Sequence, residues 1–273
     1  MSKGDDTPDK ARRPLNTNQL DTLRLIYRFR FVTTELIAHR KNKKRDAVTN
    51  AHMRVLYEQG YIGRHYDSSY KLQGKHAAYY LLPKGLAALK EKDDSITSTS
   101  KTIYNDRKAS DRFIEHSLAV FSVACTFQRL YDGTKQFFAK TELATFDYFP
   151  QPMPDGYLSI KQKNKRYHFF VDIYTESTPM FVHIRTLKRY ITYDESGEWD
   201  VTESDFPSIM VICDTKSLKN RLMTRIQSIF EEEAPHLVVL ATTVDELLNS
   251  NDRDDRIWSP INSEDFVPRK LLK

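Results

Sequence analysis

The sequence predicts an α+β protein in two parts, a small helical half closed by a hairpin and a larger half in which helices cover a mixed sheet. Three observations predict it. Apolar residues recur at helical spacing in three successive stretches across 18–59, and two strand-like stretches with a polar loop between them follow at 61–82. Beyond a Ser-, Thr-, Asp- and Lys-rich segment at 93–107, a long helical pattern gives way to strand candidates separated by helices. Charge divides at the same place. Residues 1–92 hold 19 Lys and Arg against 9 Asp and Glu, a net of +10, which leaves −5 for the rest of a chain whose total is +5.

Residues 1–16 are polar, contain Pro8 and Pro14, and read as a flexible tail. The first helix, 18–29, gathers Leu20, Leu23, Leu25, Ile26 and Tyr27 into an apolar face. The second starts at Thr33 or Thr34, either of which can cap the free amides, and continues through Leu36, Ile37 and Ala38. The third, 44–59, ends at Gly60, a residue suited to the left-handed turn after a helix. Val48, Ala51, Val55 and Leu56 stand at i, i+3, i+7 and i+8 and are its expected buried stripe. A strand begins at Tyr61 and Ile62, a polar loop at 67–75 leads to a second strand at 77–82, and a short helix opens at Pro83. This order is that of a winged helix-turn-helix at 17–92, with 93–107 as a linker.

The second half, 108–250, opens with a helix at 110–131. Strand candidates follow at 136–143, 157–161, 167–174, 208–213 and 236–241, with helical patterns at 179–193, 217–232 and 244–249. A mixed-sheet α/β domain results. Residues 251–273 form a charged tail that Trp258, Ile261 and Phe266 can pin to the surface.

Hydrophobic residues at 40% and charged residues at 29% describe an ordinary soluble globular chain. The two cysteines, Cys125 and Cys213, sit in apolar stretches, so a disulfide framework is not expected. No run approaches the roughly 18 apolar residues of a membrane span, and the start of the chain lacks a signal core; a cytoplasmic location without membrane contact is expected. The eight glycines are too scattered for a phosphate-binding or dinucleotide loop, and serine hydrolase and kinase signatures are absent. No cofactor is expected.

A helix fits the major groove of B-DNA, where its outward side chains reach base edges and basic neighbours neutralise phosphates. Lys41, Lys43, Lys44 and Arg45 cluster at the start of the third helix, where backbone amides also favour a phosphate. Thr49, Asn50, His52, Met53 and Arg54 are the candidates for base or sugar contacts. Arg64, Lys71, Lys75 and His76 lie in or near the wing and are placed to hold the adjacent backbone or minor groove. A charge run is also what a solvated helix face looks like, and winged domains also serve as protein-interaction modules. The charge asymmetry favours double-stranded DNA as the partner.

Several stretches carry a family resemblance. Phe31-Val32-Thr33-Thr34-Glu35-Leu36-Ile37, Val55-Leu56-Tyr57-Glu58-Gln59-Gly60-Tyr61-Ile62 and Tyr79-Tyr80-Leu81-Leu82-Pro83-Lys84-Gly85 are joined by His116-Ser117-Leu118-Ala119-Val120, the Pro154-Asp155-Gly156 turn and the strand at 169–174. Leu187-Lys188-Arg189-Tyr190 and Ser196-Gly197-Glu198-Trp199 follow. Together they resemble the replication-relaxation family of plasmid and mobile-element proteins over 17–245. The resemblance implies a DNA-binding protein that serves plasmid replication or conjugative mobilisation, with a second domain similar to the restriction-endonuclease-like fold.

That fold places a Pro-Asp turn before a strand bearing an acid, one residue and a lysine, often with a glutamate on the first helix. The acids hold magnesium and the lysine positions the attacking water. Glu115, Asp155 and Asp172 occupy the acid counterparts, but the lysine position is Tyr174, which supplies no positive charge. Lys188 on the following helix is the one substitute, though its simpler reading is a solvated helix residue, and Asp155 reads equally as a turn residue and Asp172 as a strand-edge acid. His116, on an otherwise apolar helix, reads as a hydrogen-bonded core histidine. The expectation is a degenerate nuclease fold without a metal, in a non-catalytic accessory protein that pairs as a homodimer or holds a relaxase or replication initiator. A Mg2+-dependent endonuclease guided by the winged helix, and a transcription regulator, are the alternatives.

Overall fold

The computed structural model describes residues 14–41, 47–93, 96, 100–131, 135–262 and 266–272. Helix α1 (Thr17–Phe29) starts at a reciprocal capping box between Asn16 and Gln19, and α2 (Thr34–Arg40) starts at Thr33, whose hydroxyl accepts from the Leu36 amide. Helix α3 (Ala47–Glu58) gives way to Gly60 at φ +73°, the left-handed turn that glycine makes without strain. Strand β1 (Ile62–His65), helix α4 (Ser68–Leu72) and strand β2 (Ala78–Leu81) follow, with the strands antiparallel and Val32 bridged to Tyr79 on the outer edge. Helix α5 (Pro83–Lys90) closes this half with proline in its first turn.

Two expectations change here. The polar loop expected at 67–75 contains a short helix, because Asp67 caps α4 through the amides of Ser69 and Tyr70. The stretch 93–107, expected as a linker, includes a helix among its described residues. Its helix α6 (Ser100–Asp106) buries Ile103 and Asp106, and Ile96 is buried before it. Polar composition concealed those anchors, and the Asp106 carboxylate is matched by the Arg30 guanidinium.

The second half begins with α7 (Asp111–Leu130), then β3 (Lys135–Ala139), α8 (Lys140–Leu143), β4 (Gly156–Gln162) and β5 (Lys165–Tyr174). Next come α9 (Met180–Ser196), a 3-10 turn at Glu198–Thr202, β6 (Ser208–Cys213), α10 (Lys216–Glu233), β7 (Val239–Thr243), α11 (Val244–Asn249) and β8 (Ser259–Pro260). The strand expected over 136–143 stops at Ala139, where the Glu142 side chain accepts from the Ala139 amide and turns the chain into α8. The six strands run in chain order across one sheet, antiparallel at both ends and parallel from β5 through β7. The tail supplies β8, and Trp258 and Ile261 are buried.

Alternation along β5 sorts its side chains between two layers. Phe169, Val171 and Ile173 join the core shared with α7, while Phe170 and Tyr174 enter the core under α9 and α10. Asp172 has the parity of the second set. The α7 core does not end at the half boundary: Leu23, Ile26 and Phe29 of α1 belong to it, and the Phe29 and Phe121 rings stack at 4.6 Å. Arg28 donates to the Phe137 carbonyl at 2.7 Å and pairs with Glu142 at 2.9 Å, so α1 is fastened to β3 and α8.

Candidate functional site

Burial on α3 is set by Thr49, Met53 and Leu56, at i, i+4 and i+7. The expected stripe of Val48, Ala51, Val55 and Leu56 is therefore rotated by about one residue step of the helix. Val48 is 56% exposed, and Met53 is 1% exposed and inside the core. Thr49 is buried as well and accepts from the Lys41 ammonium at 3.2 Å. Neither Thr49 nor Met53 can reach a base, which corrects two of the candidate contacts. Threonine reads as polar and outward in a helical pattern, yet its methyl packs as readily as that of alanine.

The outward face keeps Asn50 and Arg54, with the Arg54 side chain 78% exposed and only a loose 3.5 Å contact to Glu58. His52 is half-buried beside them, and its Nδ1 has no partner among the described residues. Lys43, Lys44 and Arg45 lie outside the described residues. At the hairpin base, the Arg64 guanidinium lies 5.0 Å from the ring centre of Tyr57 and 5.4 Å from that of Tyr66. Neither exposed tyrosine is among the residues that charge and helical pattern single out; an aromatic at the outward end of α3 and another just after β1 are the signal the sequence offers for them.

The wing candidates divide. Lys71 is exposed, as expected. Lys75 instead pairs with Glu115 at 2.7 Å, and His76 with Glu35 at 2.6 Å. Tyr70 points the same way, its hydroxyl 3.4 Å from Asp111. The α4 side of the hairpin is thus held to α2 and α7 by carboxylates.

A cleft of about 430 Å³ opens at the carboxyl end of β5, between the N-termini of α7 and α9 on opposite faces of the sheet. Asp155 reaches it from the turn before β4. A Cβ on the adjacent Gly156 would sit 2.4 Å from the Phe137 ring, so glycine is what lets this turn press onto β3. One Asp155 oxygen accepts from the Ile173 amide at 2.9 Å, and the other meets His116 Nε2 at 2.8 Å. Burial alone would lower the His116 imidazole, but the Asp155 hydrogen bond and charge outweigh it and hold the group above its ordinary value.

Asp172 is enclosed. Both its oxygens accept from Arg189 at 2.9 Å, and Tyr190 donates to one of them at 2.8 Å. Burial pushes the Asp172 carboxyl up while Arg189 pulls it back. The guanidinium, which burial would lower, is held above its ordinary value by Asp172.

Of the nuclease candidates, Asp155 and Asp172 come together at the cleft. Glu115 does not, since its carboxylate turns to Lys75, and Lys188 pairs with Glu233 at 2.8 Å on the far side of α9. Their neighbours His116 and Arg189 take the cleft instead: one residue step along a helix moves a side chain by 100°. Lys140 and Arg112 also line the cleft. A magnesium ion needs open carboxylate oxygens. Asp172 gives both of its oxygens to Arg189 and Tyr190, Asp155 gives its own to an amide and an imidazole, and this set does not fit the metal. Among the described residues no three His, Cys, Asp or Glu side chains cluster at metal-binding distance, and no helix is long and apolar enough to cross a membrane.

A family model described as replication-relaxation matches residues 23–209. No curated protein matches the chain. Among solved structures, restriction endonuclease FokI is similar at 14% identity and a TM-score of 0.33, over 85% of this chain and 43% of that one. The same enzyme bound to DNA is similar at 12% identity and a TM-score of 0.31, with the same coverage. The chain spans less than half the length of either.

Proposed function

The chain belongs to the replication-relaxation family, and from that premise we propose that it binds double-stranded DNA as a non-catalytic accessory protein in the replication or mobilisation of a plasmid or other mobile element. Residues 17–92 act as a winged helix-turn-helix, with α3 as the helix that enters the major groove. One observation carries this reading. The outward face of α3 offers Asn50 and Arg54, with Arg64 preset over Tyr57 and Tyr66 beside it, in the half of the chain whose net charge is +10. Asn50 and Arg54 have the chemistry for base edges, and the flanking cations that for phosphates.

The second half, with a helix, an antiparallel meander and then parallel strands joined through helices, serves as a degenerate restriction-endonuclease-like platform. It supports a homodimer, or holds a relaxase or replication initiator. Engagement of Asp172 by Arg189 supports the non-catalytic reading over the endonuclease one.

Fluorescence anisotropy on duplex fragments of a mobile element, at low and moderate salt, tests the proposal. Counterion release predicts that affinity falls steeply with salt and that some fragments bind more tightly than others. A curve indifferent to salt removes the reading.

A further inference from the structure

The β5 cleft contains more positive groups than its acids use. Asp172 is matched by Arg189, and Asp155 by His116 and the Ile173 amide, whereas Arg112 and Lys140 have no carboxylate partner among the described residues. Two residues that line the cleft each carry a buried polar atom, the Tyr174 hydroxyl and Arg189 Nε, that lacks a hydrogen-bond partner among the described residues. Unsatisfied buried groups are costly and rare, and two on one cleft point to a ligand that accepts hydrogen bonds.

Helix geometry adds to this. Thr178 and Val182 bring the first turn of α9, a helix of 17 residues, to the cleft wall, and its N-cap Pro179 provides no side-chain cap. Its free amides and dipole favour an anion there. The Arg112 guanidinium is bonded to the Thr178 hydroxyl and so held at that same wall. Tyr174 stacks on His183 at 4.4 Å between ring centres, which gives the cleft an aromatic side as well as a cationic one.

We infer that this cleft binds a phosphate monoester without a divalent cation, through Arg112, Lys140, His116 and Tyr174. A carboxylate has two oxygens and one charge, too few for these donors and for the two unmatched cations. A monoester dianion has three terminal oxygens and matches both. The cleft volume of about 430 Å³ lies in the ordinary range of small-molecule sites, roughly 300–1,000 Å³. A free nucleotide and the 5′-phosphorylated end of a DNA strand both present this chemistry.

Calorimetric titration of the full chain in a chelator, with deoxyadenosine monophosphate, deoxyadenosine, and a short single strand with and without a 5′-phosphate, tests the inference and separates the sources. The phosphorylated member of at least one pair is expected to bind more tightly. That gain should fall by about tenfold or more in Arg112→Ala with Lys140→Ala, as expected for lost charge-assisted hydrogen bonds. Tyr174→Phe is expected to weaken the same binding without lowering the melting temperature, since it removes a hydroxyl that no described residue bonds. A gain confined to the nucleotide assigns the site to free nucleotides, and one confined to the strand assigns it to strand ends. Equal binding of phosphorylated and unphosphorylated ligands, or an undiminished gain in the double variant, overturns the inference. No duplex is present, so failure of duplex binding leaves this result standing.

Discussion

Arg189 Nη2 lies 2.9 Å from both carboxylate oxygens of Asp172, with the Asp172 side chain 4% exposed and that of Arg189 9% exposed. Removing one partner leaves a nearly buried charge without its counter-charge. Arg189→Met is expected to destabilise the protein by about 3–5 kcal/mol, and Asp172→Asn combined with it to recover a large part of the loss. Urea denaturation of the single and double variants checks both; equal losses would mean that the pair is not a unit.

Arg54→Ala on the outward face of α3 is expected to weaken duplex binding and to reduce the salt slope by about one, with the melting temperature unchanged. Met53→Ala, one position away, is expected to do the opposite. Its side chain is in the core, so truncation costs about 2–5 kcal/mol of stability while the folded fraction keeps its affinity. Anisotropy and thermal denaturation on the same samples distinguish the two residues.

The Lys75 to Glu115 contact ties the hairpin to α7. Glu115→Gln is expected to free the ammonium for a phosphate and to raise duplex affinity by a few-fold at low salt, with a steeper salt dependence. An affinity unchanged by the substitution would place Lys75 away from the bound duplex.

His116 lies above its ordinary value because Asp155 favours the charged imidazole after burial has opposed it. A raised value means that the stabilisation is complete below the unfolded value and is lost as pH rises through the folded one. Melting temperature is therefore expected to fall on going from about pH 6 to pH 8, and His116→Gln to flatten that fall. A profile with the same slope in the variant would exclude the Asp155 contact as its source.

Phe29 stacks on Phe121 and lies 6.3 Å from Phe137, both beyond residue 107. The halves share a core and are expected to unfold in one transition. Phe29→Ala should lower stability by about 3–5 kcal/mol and move that single transition. Two separated transitions in calorimetry would show that the halves fold independently.

Local signals carried much of the architecture. The cap at Thr33, Gly60 after α3, Pro83 at the start of α5 and the apolar run of β5 each act within a few residues, so the sequence alone determined the main helices and strands and their order, while α4, α6, α8 and β8 went unmarked. It also determined the uneven distribution of charge, and the family resemblance brought Glu115, Asp155 and Asp172 forward together. What it did not determine was which way side chains face. Thr49 and Met53 turned inward, Glu115 and Lys188 turned away from the cleft, and His116 and Arg189 turned into it. Periodicity specifies a helix and leaves its rotation about its own axis open to within a residue step. Only the packing of α3 on α2, and of α7 and α9 on the sheet, selects that rotation, because it is the burial of one stripe against a particular neighbour that lowers the free energy.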